Sequence, residues 1–166
     1  LETWNHAVGL SLDNPGAYAE ELSIRPDMVL KIPTNVSDEA AAMVEPAAVA
    51  LHAVHLADIK VGAKVLVIGG GIIGLLCAEL SKMEGASYVA MTETNPARSQ
   101  KALSLQTVDE VFDATDKDLL SKLMTKTQGG FDIVIDCCGN SPAVSSGITI
   151  SFNEGYYLYQ YKIVCG

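Results

Sequence analysis

An α/β fold wound on both sides of a parallel sheet is what this sequence predicts, and three observations carry the prediction. From about Lys60 onward, short β-branched runs alternate with helix-like segments. The runs lack polar alternation, the pattern of strands covered on both faces. A glycine cluster sits directly between the first such run and the helix that follows it. At 166 residues the chain has about the length of one domain, enough to bury a sizeable core without staples.

The first 60 residues behave differently. Gly16 and residues 18–23 read as the end of a β-rich module, and residues 28–32 as one more strand. Residues 33–35 make a turn. Ser37 supplies an N-cap, with Asp38 and Glu39 in the first helical turn where the helix dipole favours negative charge. Pro46 interrupts this apolar helix and starts a second one running to about Ala57, because proline is tolerated in a first turn and not in an interior.

Residues 65–68 are a continuous apolar strand, followed by a helix over Ile72–Met83. Residues 88–92 form the next strand and 96–105 a helix carrying Arg98 and Lys101. A short strand over 110–112, an amphipathic helix over 117–127 and a buried strand over 132–137 complete the alternation. After Asn140 the pattern divides. Val144, Ile148 and Phe152 repeat at helical spacing, yet Gly147 weakens a helix and Ile148, Ile150 and Phe152 alternate as a strand does. Residues 153–155 read as a hairpin turn into 156–161, and 162–165 as a final strand.

The charge balance is 11 Lys+Arg against 20 Asp+Glu, a net −9. Most of that surface repels a nucleic acid or an anionic membrane, so neither is expected as a partner. The apolar run 65–78 is too short and glycine-rich to span a membrane. No basic segment followed by an apolar one opens the chain as a secretion signal would. Cys77, Cys137, Cys138 and Cys165 lack paired spacing and read as reduced thiols, small buried hydrophobes in a cytoplasmic protein.

The strongest chemical signal is Gly69-Gly70-Gly71-Ile72-Ile73-Gly74, after a strand and opening a helix. Gly69 permits the tight turn, Gly71 lets backbone approach a pyrophosphate, and Gly74 lets helix and strand pack closely. The amides from Gly71 through Ile72 and Ile73 to Gly74 then hold phosphate with the helix dipole and no basic side chain. No Lys-Ser/Thr follows, which excludes a nucleotide triphosphatase loop. Glu93, at the end of the second strand about twenty residues on, stands where a dinucleotide fold places its ribose-binding acid. A carboxylate there accepts from both ribose hydroxyls and repels a 2′-phosphate, which favours NAD over NADP. The plain alternative is a packing turn and a solvated glutamate. Methyltransferases also pair a glycine-rich first loop with an acid after the second strand, but usually with alternating glycines and an acid just before them; here Ile68 precedes Gly69.

These residues, with Val44-Glu45-Pro46-Ala47-Ala48-Val49-Ala50-Leu51-His52-Ala53-Val54, resemble the zinc-dependent medium-chain dehydrogenase/reductase family, in its sorbitol, polyol, butanediol and threonine branch. Gly16-Ala17-Tyr18-Ala19-Glu20, Asn95-Pro96-Ala97-Arg98 and Asp132-Ile133-Val134-Ile135-Asp136-Cys137-Cys138-Gly139-Asn140 extend the match over residues 15–142. The resemblance implies a Rossmann domain over 37–166, incomplete at its C-terminus, after a remnant (1–36) of a β-rich, GroES-like catalytic domain. It implies hydride transfer between a secondary alcohol and NAD(H), with a zinc ion polarising the alcohol oxygen. Arg98 would lie against the adenine, Cys138 and Gly139 near the adenosine half, and Glu45 at or near the zinc; the plain reading of Glu45 is a helix-terminal carboxylate.

The departures are as informative. No cysteine precedes Cys77, and none of His6, His52 and His55 is followed by glutamate, so the family's zinc cysteine, its Gly-His-Glu segment and its four-cysteine lobe have no counterpart here. Glu45, His52 and His55 share one helix face without a visible fourth ligand. The expectation is therefore a truncated cofactor-binding portion, inactive as an isolated chain. A non-catalytic dinucleotide-binding or interaction module is the second reading. With its sixth strand missing, the sheet would expose an edge for self-association through 156–165.

Overall fold

The computed structural model describes residues 8–9 and 16–139, together with the backbone of the strand Ser151–Tyr159. The chain forms two compact units, Leu1–Ala41 and Ala42–Gly166.

Among the described residues before the sheet, a 3₁₀ turn, Pro26–Met28, opens on proline, and α1 spans Asp38–Ala42. Ser37 caps α1 as expected: its Oγ accepts from the Ala40 amide at 3.2 Å. The turn at 33–35 forms, the Val36 amide donating to the Pro33 carbonyl at 3.0 Å. The strand expected over 28–32 does not form. Met28 ends the 3₁₀ turn, and Val29, Leu30 and Ile32 stand exposed without ladder partners among the described residues. β-branched residues favour a strand only where a neighbouring strand and a packed face complete it.

The second unit opens with α2, Val44–Ala57, whose third residue is Pro46. The missing proline N–H costs nothing there, since first-turn amides have no intrahelical acceptor. The rest of the unit runs β1 (Lys64–Ile68), α3 (Ile72–Met83), β2 (Tyr88–Glu93), α4 (Pro96–Ser104), β3 (Glu110–Asp113), α5 (Leu119–Thr127), β4 (Phe131–Asp136) and β5 (Ser151–Tyr159). The sheet order is β3-β2-β1-β4-β5, and every neighbouring pair is parallel. Moving outward from β1 to β2 and β3, the chain then returns past β1 to place β4, so the winding reverses between β1 and β4.

Side chains of β1 alternate between two cores. Val65 and Val67 pack with Val89, Met91, Ile133 and Ile135 beneath α2 and α3, joined by Ala53, Val54, Cys77 and Ala78. Leu66 and Ile68 face the opposite way, with Ala90, Val134, Phe131 and Leu123 of α5. Helices thus cover both faces, which is why the strands need no polar alternation. The stretch after Asn140 corrects the hairpin expected at 153–155. Ser151–Tyr159 is one strand parallel to β4, with Ser151 opposite Phe131 and Tyr156 opposite Ile133. The turn-forming Asn153-Glu154-Gly155 is absorbed as an irregularity in the ladder, extra residues on one strand facing a shorter stretch of the other. The strand expected at 162–165 lies outside the described residues.

Leu66 is fully buried between β2 and β4. Leu66→Ala is expected to lower unfolding free energy by about 3 kcal/mol, read as a shifted midpoint with unchanged slope in urea denaturation.

Candidate functional site

The C-terminal ends of β1, β2 and β4 converge on the glycine turn. Gly69 leaves β1 with φ +100°, a left-handed conformation that favours glycine, and its amide donates to the Thr92 carbonyl at 2.8 Å. A Cβ on Gly74 would lie 1.9 Å from the Gly69 carbonyl oxygen. Only glycine at 74 lets α3 begin this close to the strand it leaves. Gly71, the N-cap of α3, presents the reverse: nothing lies within 4 Å of where its Cβ would be. No side chain caps the helix there, and its first turn carries no acid. The amides that open α3 and the positive end of its dipole therefore face open space, which suits a phosphate.

Glu93, the last residue of β2, is 7% exposed, and its carboxylate meets the turn directly. Its Oε2 accepts from the Gly70 amide at 2.8 Å. Its Oε1 accepts from the Thr94 amide at 2.7 Å, the Asn95 amide at 2.9 Å and the Thr94 hydroxyl at 3.2 Å. Burial pushes this carboxyl up, but the hydrogen bonds from Asn95, Gly70 and Thr94 outweigh burial and hold it below the usual glutamate range. It is ionised at neutral pH. Arg98 Nη1 stands 4.0 Å from Oε2 on a largely exposed side chain. Asn95 fixes the start of that helix, its Oδ1 accepting from the Ala97 amide at 2.9 Å and the Arg98 amide at 3.4 Å.

The other wall comes from the end of β4. The Cys137 amide donates to the Ile68 carbonyl at 2.8 Å, and a Cβ on Gly69 would sit 3.3 Å from Cys138 Cβ. Asp136 is fully buried, and its Oδ1 accepts from the Cys138 amide at 2.9 Å and the Gly139 amide at 3.1 Å. Cys77 and Cys137 approach to 3.9 Å between sulfurs. The hydrogen bond with Cys77 and then burial push the Cys137 thiol well up. Cys77 is buried as expected, Cys137 is half-buried and Cys138 is exposed, so the reading as buried hydrophobes fails at Cys138, which sits in the turn past the strand.

The structure therefore brings Gly69, Gly71, Gly74, Glu93, Arg98 and Cys138 to one edge of the sheet. Sequence reasoning missed Gly70, which lies against the acid: a Cβ there would be 2.9 Å from Glu93 Oε2. It also missed Asp136, Thr94 and Asn95. An aspartate ending a buried strand just before a glycine turn was the available signal for Asp136.

Glu45 stands exposed in the first turn of α2. His52 and His55 are exposed on the same helix, and His55 Nε2 lies 3.8 Å from Glu84 Oε1. Among the described residues no group of three or more His, Cys, Asp or Glu side chains is placed to hold a metal ion, so they supply no ligand set for zinc. No helix among them is long and apolar enough to cross a membrane.

Residues 73–157 match the family model of zinc-binding dehydrogenases. The (R,R)-butanediol dehydrogenase of Bacillus subtilis is 37% identical over 124 residues, covering 75% of this chain and 36% of that protein. The sorbitol dehydrogenase of Halalkalibacterium halodurans is 31% identical over 154 residues, covering 92% and 45%. Among solved structures, a zinc-binding dehydrogenase from Sinorhizobium meliloti bound to NADP matches with a TM-score of 0.81 at 27% identity, covering 91% of this chain and 44% of that one. The chain spans less than half the length of each of these relatives. The order of strands, the glycine turn and the sequence match agree, and they set the methyltransferase alternative aside: the chain belongs to the zinc-binding dehydrogenase family.

Proposed function

We propose that this chain is the cofactor-binding part of an NAD-dependent alcohol or polyol dehydrogenase. The observation that carries the reading is the buried Glu93 carboxylate 2.8 Å from the Gly70 amide, beside a helix start with open space at Gly71. In this reading the amides of Gly71, Ile72 and Ile73 hold the pyrophosphate. Glu93 accepts from the adenosine ribose, Arg98 covers the adenine, and Cys138 and Gly139 border the adenosine half. When bound, the nicotinamide supplies the hydride acceptor or donor, and the chain's residues orient it. The relatives named for butanediol and sorbitol point to a secondary alcohol as the substrate of the whole protein.

Charge supports NAD over NADP. An ionised carboxylate at Glu93 repels a 2′-phosphate, and burial keeps that repulsion from being screened as it would be in open water. Calorimetric titration is expected to show NAD binding at least about tenfold tighter than NADP, a difference of about 1.4 kcal/mol. Equal affinities would remove the assignment of Glu93 as the selecting residue, and binding of neither would remove the reading as a whole.

Two glycines separate binding from folding. Gly71→Val places its side chain in open space at an ordinary φ of −72°. It is expected to leave the thermal midpoint nearly unchanged while lowering NAD affinity by about tenfold or more. Gly74→Ala drives a methyl into the Gly69 carbonyl and is expected to cost on the order of 2 kcal/mol of stability in addition to affinity. With zinc, NAD and butane-2,3-diol or sorbitol supplied, the 166-residue chain is expected to give no NADH absorbance; sustained turnover would show that it holds a complete site.

A further inference from the structure

We infer that Glu93 is a positioning residue as well as a ribose partner: its carboxylate clasps the glycine turn and fixes the phosphate-binding amides in register. The inference rests on the dinucleotide reading above and deepens it. A carboxylate offers about four acceptor sites. Here the chain's own donors occupy them unevenly: the Thr94 amide, Thr94 hydroxyl and Asn95 amide crowd Oε1, while Gly70 sits on Oε2 and leaves that oxygen a second lone-pair direction. A ribose hydroxyl that takes the second direction on Oε2 shares that oxygen with the Gly70 amide. Part of what Glu93 contributes to binding therefore reaches the ligand through the turn.

The turn depends on this tie. Gly69 is anchored on Thr92, and α3 starts at Ile72 without a side-chain cap. Between them, the bond from Gly70 to Glu93 links residues 23 apart in sequence, and it is buried. Packing repeats the message, because a Cβ at Gly70 would lie 2.9 Å from Oε2 and 3.1 Å from Met91 Sδ. An amide bonded to a buried ionised acceptor is stronger than one bonded to a neutral group and is shielded from water. Among the described residues, Arg98, with Nη1 at 4.0 Å, is the cation paired with the carboxylate.

Glu93→Gln tests the clasp. Glutamine keeps the shape but has one acceptor oxygen and an NH₂ that cannot receive an amide hydrogen, so it cannot serve Gly70 and the Thr94–Asn95 pair together. Binding is measured for NAD and for an NAD analogue whose adenosine ribose lacks both the 2′ and 3′ hydroxyls. A clasp predicts that the substitution weakens both ligands, by about tenfold for each. A variant that binds the dideoxy analogue as tightly as the wild-type chain does, while losing NAD, overturns the inference and leaves Glu93 as a ribose partner alone.

A wild-type chain that binds neither ligand overturns the dinucleotide reading itself, and the clasp then stands or falls on a ligand-free measurement. In an NMR titration of the wild-type chain between about pH 3 and pH 7, the Gly70, Thr94 and Asn95 amide protons are expected to shift together. Their common midpoint is expected below the usual glutamate range. A Gly70 signal that stays flat while Thr94 and Asn95 move overturns the clasp.

Discussion

The Gly69 carbonyl oxygen occupies the place where a Cβ on Gly74 would have to stand, and much of the site depends on that close approach. With α3 pressed against the end of β1, its first amides open immediately past the strand. They lie at the same edge as the ends of β2 and β4. A helix set even one side chain's width further out would separate its dipole from Glu93 and from the Cys137–Gly139 turn. The same approach fixes Cys77 one turn along α3, where its sulfur meets that of Cys137. One missing side chain thus sets the spacing among three strand ends.

Topology supplies the setting that this spacing needs. Successive connections in the β1-β2-β3 half run over one face, carrying α3 and α4, while α5 crosses the other before β4 pairs with β1. The winding therefore reverses between β1 and β4, the kind of point at which open α/β sheets bind ligands. The elements at that point are tied to one another by backbone. Gly69 donates to Thr92 of β2, and Cys137 donates to Ile68 of β1, both at 2.8 Å. That edge is held by ladder extensions from the sheet, so its geometry inherits the rigidity of the buried strands.

The parts of this arrangement that were legible in the sequence are those governed by local chemistry or by burial on two faces. The helix Ile72–Met83 is bounded by a glycine turn before it and by Glu84-Gly85 after it, and the sequence pattern located both ends. Tyr88–Glu93 runs one residue past its expected end and Phe131–Asp136 is shifted by one residue at both ends, because continuous apolar runs between helices have one stable use. Residues 28–32 and 153–155 failed for the opposite reason. Val29, Leu30 and Ile32 have strand-like side chains, but pairing is a property of a partner elsewhere in the chain. Asn153-Glu154-Gly155 is a sound turn signal locally, yet the ladder with β4 carries it as an irregularity within one strand. At the site, spacing found Glu93 and the three fingerprint glycines. Gly70 was invisible because its contact is with a carboxylate 23 residues away.

Electrostatics explains how a chain of net charge −9 presents a place for a dinucleotide, itself an anion. The first turn of α3 carries no acidic side chain, whereas α1 and α2 both do. The positive end of the α3 dipole is thus left uncompensated, whereas α1 and α2 neutralise theirs. Among the described residues, Glu93 is the carboxylate that reaches the turn, and its charge is drawn toward four donors of the chain, which limits the field it projects onto the amides that open α3. Backbone amides are fixed in number and direction by the fold, and they do not titrate. In the proposed reading, a phosphate site made from them feels little of the acidic surface beyond about one Debye length, roughly 8 Å at physiological salt, and selection among nucleotides would fall to the titratable group at its border.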